Sequence, residues 1–192
     1  MHIKLIDEQT ISLMKVAGCY SISIGIESGN NEILKKMKKN ITVEEALSGS
    51  NIIRRHGIWL NAYFMVGFPH ETEDTLNDTI TVMEKIKCNA LVYSIFTPYP
   101  NTELFEYCRE NGTIDDDYDA SLHNHQSPTN CFCVNIAPER FRALVSKIEK
   151  KVDRKNALNR IRQIFSLNTL RMVQKLGIRK SCQKGVRILL GK

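Results

Sequence analysis

Tyr20-Ser21-Ile22-Ser23-Ile24-Gly25-Ile26-Glu27-Ser28-Gly29 alternates polar and apolar residues, with Ile22, Ile24 and Ile26 on one side. A period of two is that of a half-buried strand. Asp7 to Gly18, just upstream, reads as a helix: Asp7 can cap it, Ile11, Met14 and Ala17 form its stripe, and Gly18 stops it. Downstream, Asn30 or Asn31 can cap a short helix carrying Ile33, Leu34 and Met37. Thr42-Val43-Glu44-Glu45 is a capping box opening a helix that ends at His56-Gly57. Ile58 to Phe68 is a long apolar run, expected to be a strand buried on both faces. Thr72 to Lys87 is helical by the spacing of Leu76, Ile80, Met83 and Ile86. Leu91 to Thr97 is a further strand, closed by Pro98 and Pro100, and Thr102 to Asn111 a short helix stopped by Gly112. Residues 113–137 read as loop and irregular extended chain. From Pro138 the pattern is helical again, with Phe141, Leu144, Val145, Ile148 and Val152 on one side and breaks expected near Gly177 and Gly185.

Strands separated by helical crossovers make a parallel α/β sheet, with neighbours in sequence side by side. Ligands of such sheets gather at the carboxyl ends of the strands. Here that rim comprises Gly25–Gly29, Gly67–Glu71 and Thr97–Pro100. Three parallel strands do not close a barrel, so either a partner supplies further strands or upstream sequence is absent.

The chain has 192 residues, 42% hydrophobic and 25% charged, and six cysteines. This is the composition of about one globular domain, which excludes a disordered, collagen-like or small disulfide-scaffold protein. No apolar run approaches the ~18 residues of a membrane span, and Met1–Asp7 is too short and too quickly acidic for a signal peptide. A cytoplasmic protein with reduced thiols is expected. The net charge of +6 hides an asymmetry. Residues 1–138 carry 11 basic and 18 acidic side chains, net −7; residues 139–192 carry 16 and 3, net +13. The basic segment is expected to dock on the acidic body; nucleic acid or an anionic membrane is the other expectation.

Three stretches resemble the middle of radical S-adenosylmethionine (SAM) enzymes: Ala17–Gly29 with Asn31–Thr42, Phe64–Asp74, and Ser94–Leu104. Together they are similar to the group that often carries an upstream cobalamin-binding domain. The resemblance covers residues 3–112 closely and 113–150 loosely. It implies an α/β fold that is the C-terminal half of a partial (β/α)6, TIM-like barrel. About three parallel strands with crossover helices would lie in residues 1–112, an irregular segment in 113–137, and a basic helical region in 138–192.

In the family, a [4Fe–4S] cluster held by Cys-x3-Cys-x2-Cys reduces bound SAM, yielding methionine and a 5′-deoxyadenosyl radical. None of Cys19, Cys88, Cys108, Cys131, Cys133 and Cys182 forms that motif. The chain is therefore expected to be a C-terminal fragment or split subunit working with a missing N-terminal barrel half, in cis or in trans; a degenerate, non-catalytic half-barrel acting as an interaction module is the alternative. Cobalamin is a further expected cofactor, needing a domain outside these residues, and the substrate is expected to be a small molecule.

The resemblance also implies site residues. Gly25, Glu27, Ser28 and Gly29 match the segment lining the SAM ribose and methionine groups; a buried polar strand end is the alternative. Lys39 matches a basic position that could meet the SAM carboxylate, or it is one more surface lysine beside Lys35, Lys36 and Lys38. Gly67, Phe68, Pro69 and Glu71 match a turn whose backbone contacts adenine, although the usual glycine before the glutamate is His70 here. Glu71 could equally serve the following helix N-terminus. Tyr99 is expected on the rim, against adenine, substrate or core. His123, His125, Cys131 and Cys133 have a local metal-like look, but Cys-x-Cys suits a zinc knuckle poorly and a chance grouping is the expectation.

Overall fold

The computed structural model describes residues 1–123, 127 and 130–164. After a short 3-10 turn at Ile3–Leu5, the elements run α1 (Glu8–Val16), β1 (Ser21–Glu27), α2 (Asn31–Lys36), α3 (Val43–Arg55), β2 (Trp59–Val66), α4 (Glu73–Lys85), β3 (Ala90–Ile95) and α5 (Glu103–Glu110). A second 3-10 turn at Ala120–Leu122 precedes the 27-residue α6 (Pro138–Ile164). The three strands form one parallel sheet in the order β1-β2-β3. This is the expected α/β architecture of alternating strands and helices, and it is consistent with part of a radical SAM barrel.

Helix starts lie where side chains satisfy the free N–H groups. Asp7 accepts from Thr10 N, Asn30 from Glu32 N and Ile33 N, and Thr102 from Phe105 N. Thr42 and Glu45 form a reciprocal capping box, as do Thr72 and Thr75. α4 stops at Lys85, two residues earlier than its apolar spacing suggests. There Lys155 of α6 donates to the carbonyls of Met83 (2.6 Å), Glu84 (3.0 Å) and Ile86 (2.6 Å), sealing the helix end.

The sheet has two unlike faces. Ile22, Ile24 and Ile26 of β1 and Leu60, Ala62, Phe64 and Val66 of β2 are buried in one cluster with residues of the helices, among them Ile11, Ala46, Ile53, Leu76, Ile80 and Phe141. The other face carries Ser21, Ser23 and Gly25, then Trp59, Asn61, Tyr63 and Met65, then Ala90, Val92 and Ser94, all exposed or half-buried. This corrects the expectation that β2 is buried on both sides. Its bulky residues conceal an alternation in which Leu60, Ala62, Phe64 and Val66 are the fully buried set. Met65, half-buried near the carboxyl end of β2, packs against a second apolar cluster that includes Ile33, Phe68, Phe96 and Cys108.

Residues 138–164, the described part of the basic segment, pack on the rest of the chain; residues 165–192 lie outside the described residues. Phe141, Leu144, Val145, Ile148 and Val152 are buried against the sheet-and-helix core. Around them Arg140 forms a two-pronged pair with Glu73 (2.9 and 2.6 Å), and Lys151 pairs with Glu84. Asn156 accepts from Leu91 N (2.9 Å) and donates to Leu91 O (2.8 Å). It thus pairs with the outer edge of β3 as a neighbouring strand would. The expected breaks at Gly177 and Gly185, and Cys182, lie outside the described residues. Among the described residues no helix is long and apolar enough to cross a membrane.

Candidate functional site

The carboxyl end of β1 is irregular. Gly25 pairs with Tyr63, but Glu27 pairs with the very next residue, Phe64, so Ile26 is the extra residue of a bulge. Glu27 takes φ +70°, a left-handed conformation that costs a non-glycine residue about 1–3 kcal/mol. The bulge aims its carboxylate back over Gly25. There Glu27 Oε1 accepts a hydrogen bond from Lys39 Nζ at 2.7 Å. A Cβ on Gly25 would strike Glu27 Oε1 and lie 3.2 Å from Lys39 Nζ. Glycine at 25 thus leaves the room in which the ion pair sits. The two side chains remain 21% and 31% exposed, so an outside ligand can reach both charges.

Below this pair, the uncovered sheet face carries a small polar network. Trp59 Nε1 donates to Asn61 Oδ1 (2.8 Å), and Asn61 Nδ2 donates to Ser23 Oγ (3.2 Å) and Ser21 Oγ (3.4 Å). Tyr63, one step nearer the rim, is 41% exposed. Sequence reasoning missed this face; Asn61 in the middle of an apolar run was the available signal.

Ser28 and Gly29 do not reach the rim. Ser28 is fully buried, its hydroxyl 3.3 Å from Thr79 Oγ1, and Gly29 N donates to the same Thr79 oxygen at 2.9 Å. A Cβ on Gly29 would lie 2.5 Å from Thr79 Cα and 2.7 Å from the Asp78 carbonyl. These residues clamp the exit of β1 onto α4. Thr79 was not singled out, because its role depends on partners some fifty residues away.

The turn after β2 is also turned inward. Gly67 has φ +83°, and its N–H and that of Phe68 donate to Glu71 Oε2 at 2.7 and 3.0 Å. Burial pushes the Glu71 carboxyl up to about 8, against the opposing pull of those two N–H bonds. Its second oxygen, Oε1, is buried with no hydrogen-bond partner among the described residues. Residues 131–141 lie over the turn. Val134 N donates to Pro69 O at 3.0 Å, and Phe141 fills the space a Gly67 side chain would need. His70 stacks between Phe68 (5.4 Å) and Tyr107 (4.2 Å), and burial, helped by Lys36, lowers its pKa. Gly67, Phe68, Pro69 and Glu71 are thus all buried, with the first two amides engaged inside the turn. Tyr99 stands 52% exposed on the loop after β3.

His123 stacks on Tyr118 (4.8 Å), and its Nδ1 lies 3.1 Å from Asn130 Oδ1. His125 lies outside the described residues. Among the described residues no three His, Cys, Asp or Glu side chains are placed to hold a metal ion. Cys19, Cys88, Cys108, Cys131 and Cys133 are free thiols. They do not fit the three-thiolate site of an iron–sulfur cluster.

Residues 4–83 match the model of the radical SAM superfamily. An uncharacterized methyltransferase of Pyrococcus horikoshii is 30% identical over 113 residues, covering 59% of this chain and 25% of the relative. The anaerobic magnesium-protoporphyrin IX monomethyl ester cyclase of Cereibacter sphaeroides is 29% identical over 122 residues, 64% of this chain and 19% of the relative. A tRNA-2-methylthio-N(6)-dimethylallyladenosine synthase of Thermosipho africanus is 34% identical over 93 residues, 47% of this chain and 22% of the relative. The chain thus matches a quarter or less of the length of these relatives.

Proposed function

We propose, from residues 4–83 being radical SAM superfamily sequence, that this chain supplies one wall of a SAM site in a radical SAM enzyme. The observation that carries this reading is the Glu27–Lys39 pair, held at a bulged strand end beside a glycine and open to solvent. The pair fits SAM chemically. Lys39 offers an ammonium to the methionine carboxylate, and Glu27 offers a carboxylate to the methionine ammonium or a ribose hydroxyl. The strained backbone at Glu27 fixes the direction of its carboxylate before a ligand arrives.

The buried turn at Gly67–Glu71 acts differently from an open adenine cradle. Its role here is to hold the β2 exit rigid, so that the rim beside β1 keeps its shape. The polar face formed by Ser21, Ser23, Asn61 and Tyr63 lies below the rim and is where a small-molecule substrate would be positioned. The reaction class is reductive cleavage of SAM followed by radical chemistry on that substrate, such as methylation or a C–C or C–S rearrangement. A [4Fe–4S] cluster would supply the electron, held by a Cys-x3-Cys-x2-Cys segment in the same or a partner polypeptide, since none of the six cysteines here forms that motif. Cobalamin would be held by a separate domain.

This division of labour has a direct test. The 192-residue chain, reconstituted anaerobically with iron and sulfide and given SAM and dithionite, is expected to form no 5′-deoxyadenosine. Formation of that product by the chain alone would show that its own thiols hold a competent cluster.

A further inference from the structure

A pocket of about 480 Å³ lies between the first 3-10 turn, α2 and the start of α3. Four lysines, Lys4, Lys35, Lys38 and Lys39, line it against two carboxylates, Glu32 and Glu45. Glu45 is already engaged, its Oε2 accepting from Thr42 N at 2.8 Å. The link from α2 to α3 turns at Lys38, whose φ of +55° is left-handed, and sets Lys38 and Lys39 around one pocket with Lys35 of α2. The 3-10 turn packs on β1 and α3 and brings in Lys4.

The four ammonium groups are not equally occupied. Lys39 binds Glu27 at 2.7 Å, and Lys38 binds Glu103 at 2.6 Å. Both partners of the second pair are largely exposed, so it holds Lys38 weakly and can exchange for a ligand. The ammonium groups of Lys4 and Lys35 have no hydrogen bond or ion pair among the described residues. Two unpaired positive charges on one concave wall match a dianion. A phosphate monoester carries about −1.5 to −2 charges at neutral pH, and lysine binds it as a point charge. The pocket also has the size of small-molecule sites, ~300–1,000 Å³, which leaves room for an organic body beside the phosphate. The lysine stems and the buried Ile41 give that body an apolar wall.

We propose that this pocket binds a small phosphate monoester, with Lys4 and Lys35 holding its phosphate. Lys39 lines the pocket and also pairs with Glu27, so the ligand lies on the flank of the rim. That this ligand is the substrate rests on the reading of the rim as a SAM site; the pocket itself stands on its own residues.

The test titrates the isotope-labelled full chain at pH 7.5 and constant ionic strength with methyl phosphate, a dianion. A parallel arm uses dimethyl phosphate, the monoanionic group of a nucleic-acid backbone. Methyl phosphate is expected to shift the NMR signals of Lys4, Lys35 and Asn40–Thr42, and dimethyl phosphate to bind there about tenfold more weakly. Lys4→Gln and Lys35→Gln remove no side-chain hydrogen bond of the fold, and each should weaken methyl phosphate about fivefold. Lys87→Gln, at an exposed lysine outside the pocket, should leave it unchanged. The response of Glu27 to SAM should survive in Lys4→Gln and Lys35→Gln; a wild type that binds methyl phosphate but not SAM would sink the SAM reading and leave the pocket standing. Equal binding of the two probes, shifts spread over Lys87 and other surface lysines, or unchanged affinity in both pocket variants would overturn the proposal.

Discussion

Gly67→Ala is expected to lower the unfolding free energy of the chain by about 3 kcal/mol or more, from two additive causes. The left-handed φ of +83° costs an alanine ~1–2 kcal/mol. The new methyl would also sit 2.8 Å from Phe141 Cζ and 3.3 Å from its Cε2. Phe141 is fully buried and cannot yield, and such overpacking costs a further ~1–3 kcal/mol. Gly18→Ala is the internal control. Gly18 has φ +92° but nothing within 4 Å of the Cβ position, so it should show the backbone cost alone. Urea unfolding of both variants measures the difference. Equal losses would mean that α6 does not press on the turn.

The second large effect is on the pH dependence of stability. Glu71 is raised from 4.5 to about 8 by burial, so the native state holds a proton that the unfolded state releases above about 4.5. Its contribution is full below that value and is lost as pH rises through about 8. Between these limits stability should fall with rising pH, by up to ~1.4 kcal/mol per pH unit for one proton. His70 acts in the opposite sense. Its lowered pKa withdraws stability as the pH falls below about 6.5. The wild type must therefore be compared with Glu71→Gln, which keeps a carbonyl acceptor for the Gly67 and Phe68 amides but does not titrate. Denaturant unfolding at pH 5.5, 7 and 8.5 is expected to show a wild-type advantage over this variant that shrinks as pH rises, by a few kcal/mol in all. A constant difference across that range would place an ionised carboxylate in the core.

What the sequence revealed and what it hid follow from range. The helix starts at Asp7, Asn30, Thr42, Thr72 and Thr102 were legible because each cap acts within three residues. The parallel sheet followed from the alternation of strands and crossovers. The face of β2 was not legible, since Trp59, Tyr63 and Met65 look as apolar as the buried Leu60, Phe64 and Val66.

Longer-range features were out of reach altogether. The clamp of Thr79 on Ser28 and Gly29, and the seat of Phe141 over Gly67, join residues fifty or more positions apart. Residues 113–137 read as irregular chain, yet they place Ile114, Phe132, Cys133 and Ile136 in the interior. At the site, Gly25, Glu27 and Lys39 were singled out individually. That they form one constellation depends on the bulge at Ile26, which no local pattern announces.

That constellation is also where the functional account is most exposed. Isotope-labelled full-length chain titrated with SAM should show concentration-dependent NMR shifts at Gly25, Glu27 and the Lys39 side chain. The shifts should weaken about tenfold in apparent affinity in both Lys39→Met and Glu27→Gln. Shifts confined to other surfaces, or an unchanged response in both variants, would contradict the assignment of this rim to SAM.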